Sequence, residues 1–177
     1  MSLEIDLSSL RQNPGRTQDV VLNSEYLEGL PHDLSLSEPV QVNLHLEAGE
    51  RFVKALGHIS TGVDTNCDRC LVPIHYPLSF DFTESLMSTH DVDVLCQHGQ
   101  DRELLETENW LYDSPHVDLN YMVLDKLLSQ LPFQHVCKDD CKGLCPHCGV
   151  NLNEENCSCD NQEIDPRWAI LAQLKDN

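Results

Sequence analysis

The chain has 177 residues, enough for one domain of ordinary size or for one domain and a small appendage. Thirty Asp and Glu stand against eleven Lys and Arg, a net charge of −19. That balance rules out coating a phosphate backbone by bulk electrostatics, because such affinity comes from Lys and Arg displacing counterions. It also disfavours an anionic membrane surface, and it favours a basic partner.

No run approaches the roughly 18 apolar residues of a membrane-spanning helix. The first ten residues carry Glu4 and Asp6 and lack the cationic and apolar regions of a signal peptide. The expected location is cytoplasmic, with no membrane partner.

Leu3 to Leu7 alternates as a short strand, and Asn13-Pro14-Gly15 signals a turn. Asp19 to Leu30 reads as a strand and then a short helix. Val40, Val42, Leu44 and Leu46 alternate with polar residues as a half-buried strand. Phe52 to Ile59 returns antiparallel to it, with Gly57 as a weak point or bulge. Ile74, Tyr76, Leu78, Phe80 and Phe82 mark a third strand, which Pro73 and Pro77 assign to an edge or a bulge. Residues 86–115 have no sustained period and are strongly acidic, which predicts a solvated, partly mobile loop or a long hairpin insertion. Asp118 caps a predicted helix over 119–131, with Pro132 as its stop. Asp165-Pro166 opens a second short helix with Trp168, Leu171 and Leu174 as its apolar stripe.

Nine cysteines are many for a reducing compartment and point to metal or redox chemistry. Cys145-Pro146-His147-Cys148-Gly149 is a tight turn that aims two sulfurs at one cation. Cys157 and Cys159 supply the other pair, which predicts a closed four-sulfur Zn2+ site, with iron as the rival metal. Cys67 and Cys70 do not close a site alone. The economical partition joins them to Cys137 and Cys141 on a second zinc and leaves Cys96 free. The rivals are one of Cys137 or Cys141 joining the site of Cys145, Cys148, Cys157 and Cys159, or an empty Cys67–Cys70 pair. His147 and His135 are candidate substitute ligands. Few large apolar residues lie among these cysteines, so the module is expected to depend on metal for its fold.

A redox role for Cys67 and Cys70 is the competing chemistry, although their flanks read as strands and Asp68 opposes a thiolate. No Gly-rich phosphate loop, nucleophile elbow or HExxH occurs. The expected architecture is therefore α+β. An antiparallel β meander or barrel-like sheet packs with one or two helices over residues 1–132, and a Cys-rich zinc module with a C-terminal helix occupies 133–177.

Four features together resemble the YceD family: Cys67-Asp68-Arg69-Cys70-Leu71, the helix ending at Leu131-Pro132, the block from Cys141 to Asn153, and Asp165-Pro166-Arg167. That family is described as supporting accumulation of large-subunit ribosomal RNA in bacteria and chloroplasts. The resemblance implies a factor in ribosome biogenesis rather than a particular reaction. The expectation is a non-enzymatic protein that binds a basic ribosomal protein or a pre-large-subunit particle. Ribosomal RNA contact would be indirect, or direct and local through Lys138 and Lys142 of the zinc module or patches such as Arg51, Lys54 and Arg69. Asp91, Asp93, Glu103, Glu106 and Glu108 are the candidate partner-binding residues. The alternative is an RNA-processing enzyme or a thiol oxidoreductase that uses Cys67 and Cys70.

Overall fold

The structure, a computed structural model, describes residues 3–159. The predicted helix after Asp165-Pro166 lies outside these residues. In chain order the elements are β1 (Glu4–Asp6), α1 (Ser8–Arg11), β2 (Thr17–Ser24), β3 (Ser35–Leu36), β4 (Val40–Ala48), β5 (Phe52–Asn66) and β6 (Pro73–Ser88). They continue with α2 (Thr89–Gln97), α3 (Arg102–Glu108), β7 (Trp110–Tyr112), β8 (His116–Asp118) and α4 (Asn120–Gln130). The class is α+β. β4, β5 and β6 form the antiparallel meander, β2 extends it beside β4, and β3 adds to β5. The expected barrel-like closure is not made among the described residues: β2, β4, β5, β6 and β7 run in an open path, with β3 off it beside β5. β7 joins β6 in parallel, because two helices intervene and return the chain in the same direction.

Alternation decides the faces. Val42, Leu44 and Leu46 of β4 pair with Ile59, Gly57 and Ala55 of β5, and all point into the core. α4 covers that face with Met122, Val123 and Leu127, each 2% exposed or less. Burial of such side chains contributes about 2 kcal/mol apiece. Asp118 does bind the first turn of α4, accepting from the Asn120 N–H at 2.8 Å from one residue before the cap.

β5 and β6 run much longer than their alternation predicted, in unbroken register from Phe52↔Met87 to Asn66↔Pro73. Gly57 is not a bulge. It sits opposite Phe82, and a Cβ there would meet the Phe82 ring at 2.2 Å. From Pro73 to Ser85, among the described residues, β6 has only β5 beside it, which accommodates both prolines. The outer face is polar and carries three cross-strand pairs: His45–Asp19, His58–Asp81 and His75–Asp64, at 2.7, 2.7 and 2.6 Å. A shallow basin of about 530 Å³ lies between the first two pairs. The bond from Asp19 raises the pKa of His45 above the usual imidazole value.

Two expectations are corrected. After β2 the chain makes turns rather than a helix. Gly29 takes φ +84°, and the buried Asn120 carboxamide holds both the N–H and the C=O of Glu28 at 2.9 Å. Residues 86–115 are not a solvated loop or a hairpin but α2, α3 and β7 around a small core of Met87, Val92 and Leu105. Ser88 and Asp101 cap the two helices. Helices this short, separated by a turn at Gly99, leave too few residues for a period to show.

Asp91 anchors this segment. Its carboxylate meets Arg11 at 3.2 Å and Arg51 at 3.6 Å, accepts from Ser88 Oγ, and is only 15% exposed. Asp91→Ala would remove the carboxylate that Arg11 and Arg51 share and leave Arg11 only its 3.2 Å bond to Ser88 Oγ in this network, an expected loss of about 2 kcal/mol. A thermal melt checks this, and an unchanged midpoint would show the network to be dispensable.

Candidate metal centres

The turn joining β5 to β6 is six residues long, 67–72, and it carries Cys67 and Cys70. Cys67 N–H bonds Val72 O at 2.8 Å, and Leu71 is held at φ +59°. The chain after α4 returns to this turn. Asp68 and His135 clasp each other: Asp68 N–H donates to His135 O, and His135 N–H donates to Asp68 Oδ2, each at 2.7 Å. The His135 ring packs on Tyr76, with centroids 5.6 Å apart.

That return brings Cys137 and Cys141 to Cys67 and Cys70. Cys67 Sγ lies 3.8 Å from Cys141 Sγ, and Cys70 Sγ lies 3.5 Å from Cys137 Sγ. All four sulfurs fall within 4.8 Å of one another. Cys145, Cys148, Cys157 and Cys159 make a second group under the same limit, with sulfur contacts of 3.2 and 3.6 Å. The sulfurs thus gather as the economical partition of the sequence divided them. Cys96 stands outside both groups, against the small core of α2 and α3. His147 contributes its backbone N–H to Cys145 Sγ at 3.4 Å, and neither His147 nor His135 joins a group.

The donor sets suit a tetrahedral cation. Metal–sulfur bonds of about 2.3 Å give sulfur–sulfur edges of about 3.8 Å, against contacts here of 3.2 to 3.8 Å. Four thiols this close cannot all ionise unless a positive charge sits among them. Burial opposes ionisation of Cys67, but N–H donors from Cys137, Arg69 and Cys70 bring it down to about 6. N–H groups of Cys148 and His147 lower Cys145 to about 6. Opposite them, desolvation and the Cys70 thiol push Cys137 up to about 12, and the Cys157 and Cys148 thiols push Cys159 up to about 12. A cation at each centre would resolve this conflict.

Residues between the groups lock them together. Leu144 N–H donates to Arg69 O at 2.9 Å, and Arg69 Nη1 donates to Cys141 O at 3.1 Å. Gly143 takes φ +76°, and a Cβ there would meet Arg69 O at 3.0 Å. A short hairpin follows, closed by Cys145 N–H to Val150 O at 2.8 Å and Leu152 N–H to Gly143 O at 2.9 Å. The sequence reading missed Arg69, Gly143 and Asn153 as parts of this site. The available signal was the glycine between two cysteine pairs and the Asn-Leu-Asn that follows Gly149-Val150.

The acidic candidates separate. Asp91 is occupied by the arginine network. Asp93 and Glu106 share Arg102, and Glu103 and Glu108 are exposed. Of the basic candidates, Arg51 is paired with Asp91, Arg69 is turned to Cys141 O, and Lys138 lies 3.8 Å from Asp140. Among the described residues, no helix is long and apolar enough to cross a membrane.

The chain is 31% identical over 135 residues to an uncharacterized protein of Mycobacterium tuberculosis, a match covering 76% of this chain and 61% of that relative. It is 23% identical over 172 residues to an uncharacterized protein of Mycobacterium leprae, covering 96% of this chain and 76% of the relative. The Arabidopsis thaliana chloroplastic protein described as large ribosomal RNA subunit accumulation protein YCED homolog 1 is 26% identical over 157 residues, which cover 78% of this chain and 49% of that protein. The chain therefore spans about three fifths of the Mycobacterium tuberculosis relative and half of the plant one. No solved structure matches it significantly. The family model described as large ribosomal RNA subunit accumulation protein YceD matches residues 55–175, from within β5 through both cysteine groups, and the chain belongs to the YceD family.

Proposed function

We propose that both cysteine groups hold Zn2+ and that the protein is a non-enzymatic factor for large-subunit ribosomal RNA accumulation, acting by binding a basic ribosomal protein or a precursor particle. The closed geometry of the two groups carries this reading. Four sulfurs per group supply a full tetrahedral shell, the arrangement of structural rather than catalytic zinc. In this role zinc fixes the segment after α4 onto the tip of the β5–β6 hairpin and gives the chain one rigid surface. A fully buried Cys67 also suits a ligand better than an attacking thiolate, which needs access.

The charge of −19 supports a cationic protein partner, met by fast, salt-sensitive encounter. Engagement of Arg51 and Arg69 within the fold leaves less local positive charge for RNA. The docking acids are then Asp93, Glu103, Glu106 and Glu108 on α2 and α3, with Asp91 set aside as a structural anchor.

Loss of the protein should lower large-subunit RNA relative to small-subunit RNA in total-RNA profiles. A triple reversal of Glu103, Glu106 and Glu108 to Lys should fail to restore the ratio, while retaining two zinc ions and a normal melt. Full restoration by that variant would move the docking surface elsewhere. Turnover of precursor RNA by the zinc-loaded protein would overturn the non-enzymatic reading.

A further inference from the structure

Asn153 belongs by position to the loop of the second cysteine group, between Cys148 and Cys157. Its side chain serves the first group. Asn153 Nδ2 donates to Cys141 Sγ at 3.4 Å and to Asn151 Oδ1 at 2.8 Å. Asn153 Oδ1 accepts from Lys142 N–H at 2.9 Å, and Asn153 N–H donates to Asn151 Oδ1 at 3.1 Å. The carboxamide is therefore held at both ends, with one N–H left to aim at a single sulfur. What places it there is the hairpin of the second group, through the Leu144–Asn151 bridge and the Leu152 N–H to Gly143 O bond. Past that hairpin, Cys157 Sγ lies 3.2 Å from Cys145 Sγ and 3.6 Å from Cys148 Sγ, so an ion there would tie the chain after Asn153 back to the hairpin turn.

We propose that Asn153 couples the two metal sites: an ion bound by Cys145, Cys148, Cys157 and Cys159 fixes the loop that delivers the carboxamide donor to Cys141, and so tightens the site of Cys67, Cys70, Cys137 and Cys141. This rests on the reading that both groups hold zinc. A donor to a ligand atom from outside the coordination shell typically changes metal affinity about 10- to 100-fold. Coupling between sites is reciprocal, so filling the first site tightens the second by the same factor. Each filled site then tightens the other, although either can hold its ion alone at lower affinity.

The test uses the full chain loaded with two equivalents of zinc. A chelator of known affinity is titrated in, and alkylation of Cys67, Cys70, Cys145 and Cys148 is read peptide by peptide. Asn153→Asp keeps the acceptor for Lys142 and removes the donor to Cys141. It should weaken both sites by about the same factor, in the range of 10- to 100-fold. Cys157→Ser, which opens the second site, should weaken the first by that factor too, and adding Asn153→Asp to it should shift the first site no further. Wild-type release curves for zinc-replete Asn153→Asp would overturn the coupling and leave the two-zinc reading intact. So would a full additional shift in the double variant, or loss of the second site alone. Wild-type protein that binds fewer than two zinc ions, or that has Cys67 and Cys70 alkylated without chelator, would overturn the reading and the coupling together.

Discussion

With both groups loaded as proposed, stripping the zinc should release residues 133–159 and leave the sheet melting close to its loaded temperature. The apolar material that holds this segment is slight: Cys67, Cys70 and Cys141, with Val72, Ile74 and Leu144 packed beside them. Ordering each residue costs about 1–2 kcal/mol of backbone entropy, more than so small a cluster offsets. A structural zinc in a four-cysteine set contributes about 10–16 kcal/mol at neutral pH. The core between the sheet and α4 shares none of these residues. Chelator-treated protein should therefore show protease cleavage between α4 and Cys145, with its far-UV dichroism largely kept. Cys70→Ser should lower bound zinc from two equivalents to one. A segment that stays protected in excess chelator would show that its fold does not need the metal.

Gly143→Val should undo the same docking with the second site still loaded. Gly143 sits at φ +76°, where a β-branched residue is badly strained, at about 1–2 kcal/mol for the left-handed backbone alone. A Cβ there meets Arg69 O at 3.0 Å, and this is backbone that the Leu144 N–H already holds. Relieving the overlap adds about 1–3 kcal/mol. The cheapest relief is for the hairpin to lift off the Cys67–Cys70 turn. The expected readout is faster alkylation of Cys67 and Cys70, with Cys145 and Cys148 protected and the sheet melt unchanged. Equal protection at all four thiols would show that the turn tolerates the side chain.

The sequence was legible wherever one periodicity ran long enough. β4 lies where Val40 to Leu46 alternates, and α4 lies where Leu119 to Leu131 repeats at helical spacing. The cysteine groups were legible for another reason: two-residue spacing fixes a pair locally, so only the matching of pairs remained. What stayed hidden depends on contacts distant in sequence. β5 and β6 outrun their alternation because Thr61, Gly62 and Thr65 lie in register with β6 without looking apolar. α2 and α3 are stabilised by Met87 and by Leu111 of β7, outside either helix. Asp91 looked like a free surface acid because nothing nearby in the chain announces Arg11 and Arg51. Asn153 carries no signal until Cys141 is seen beside it.

The meander has a kinetic consequence. β4, β5 and β6 follow one another through short turns, so closing them costs little loop entropy, and they can pair early. Cys67 and Cys70 then stand at the hairpin tip before their partners are made. Cys137 lies 67 residues beyond Cys70, which a ribosome adding about 5–20 residues per second covers in several seconds. Through that interval the nascent chain offers half a coordination shell. An ion content with two thiolates, as Cu(I) is, competes on better terms then than at the finished four-sulfur site. For the proposed zinc-loaded protein, correct metallation is in this sense a race against elongation, won when the chain past α4 arrives.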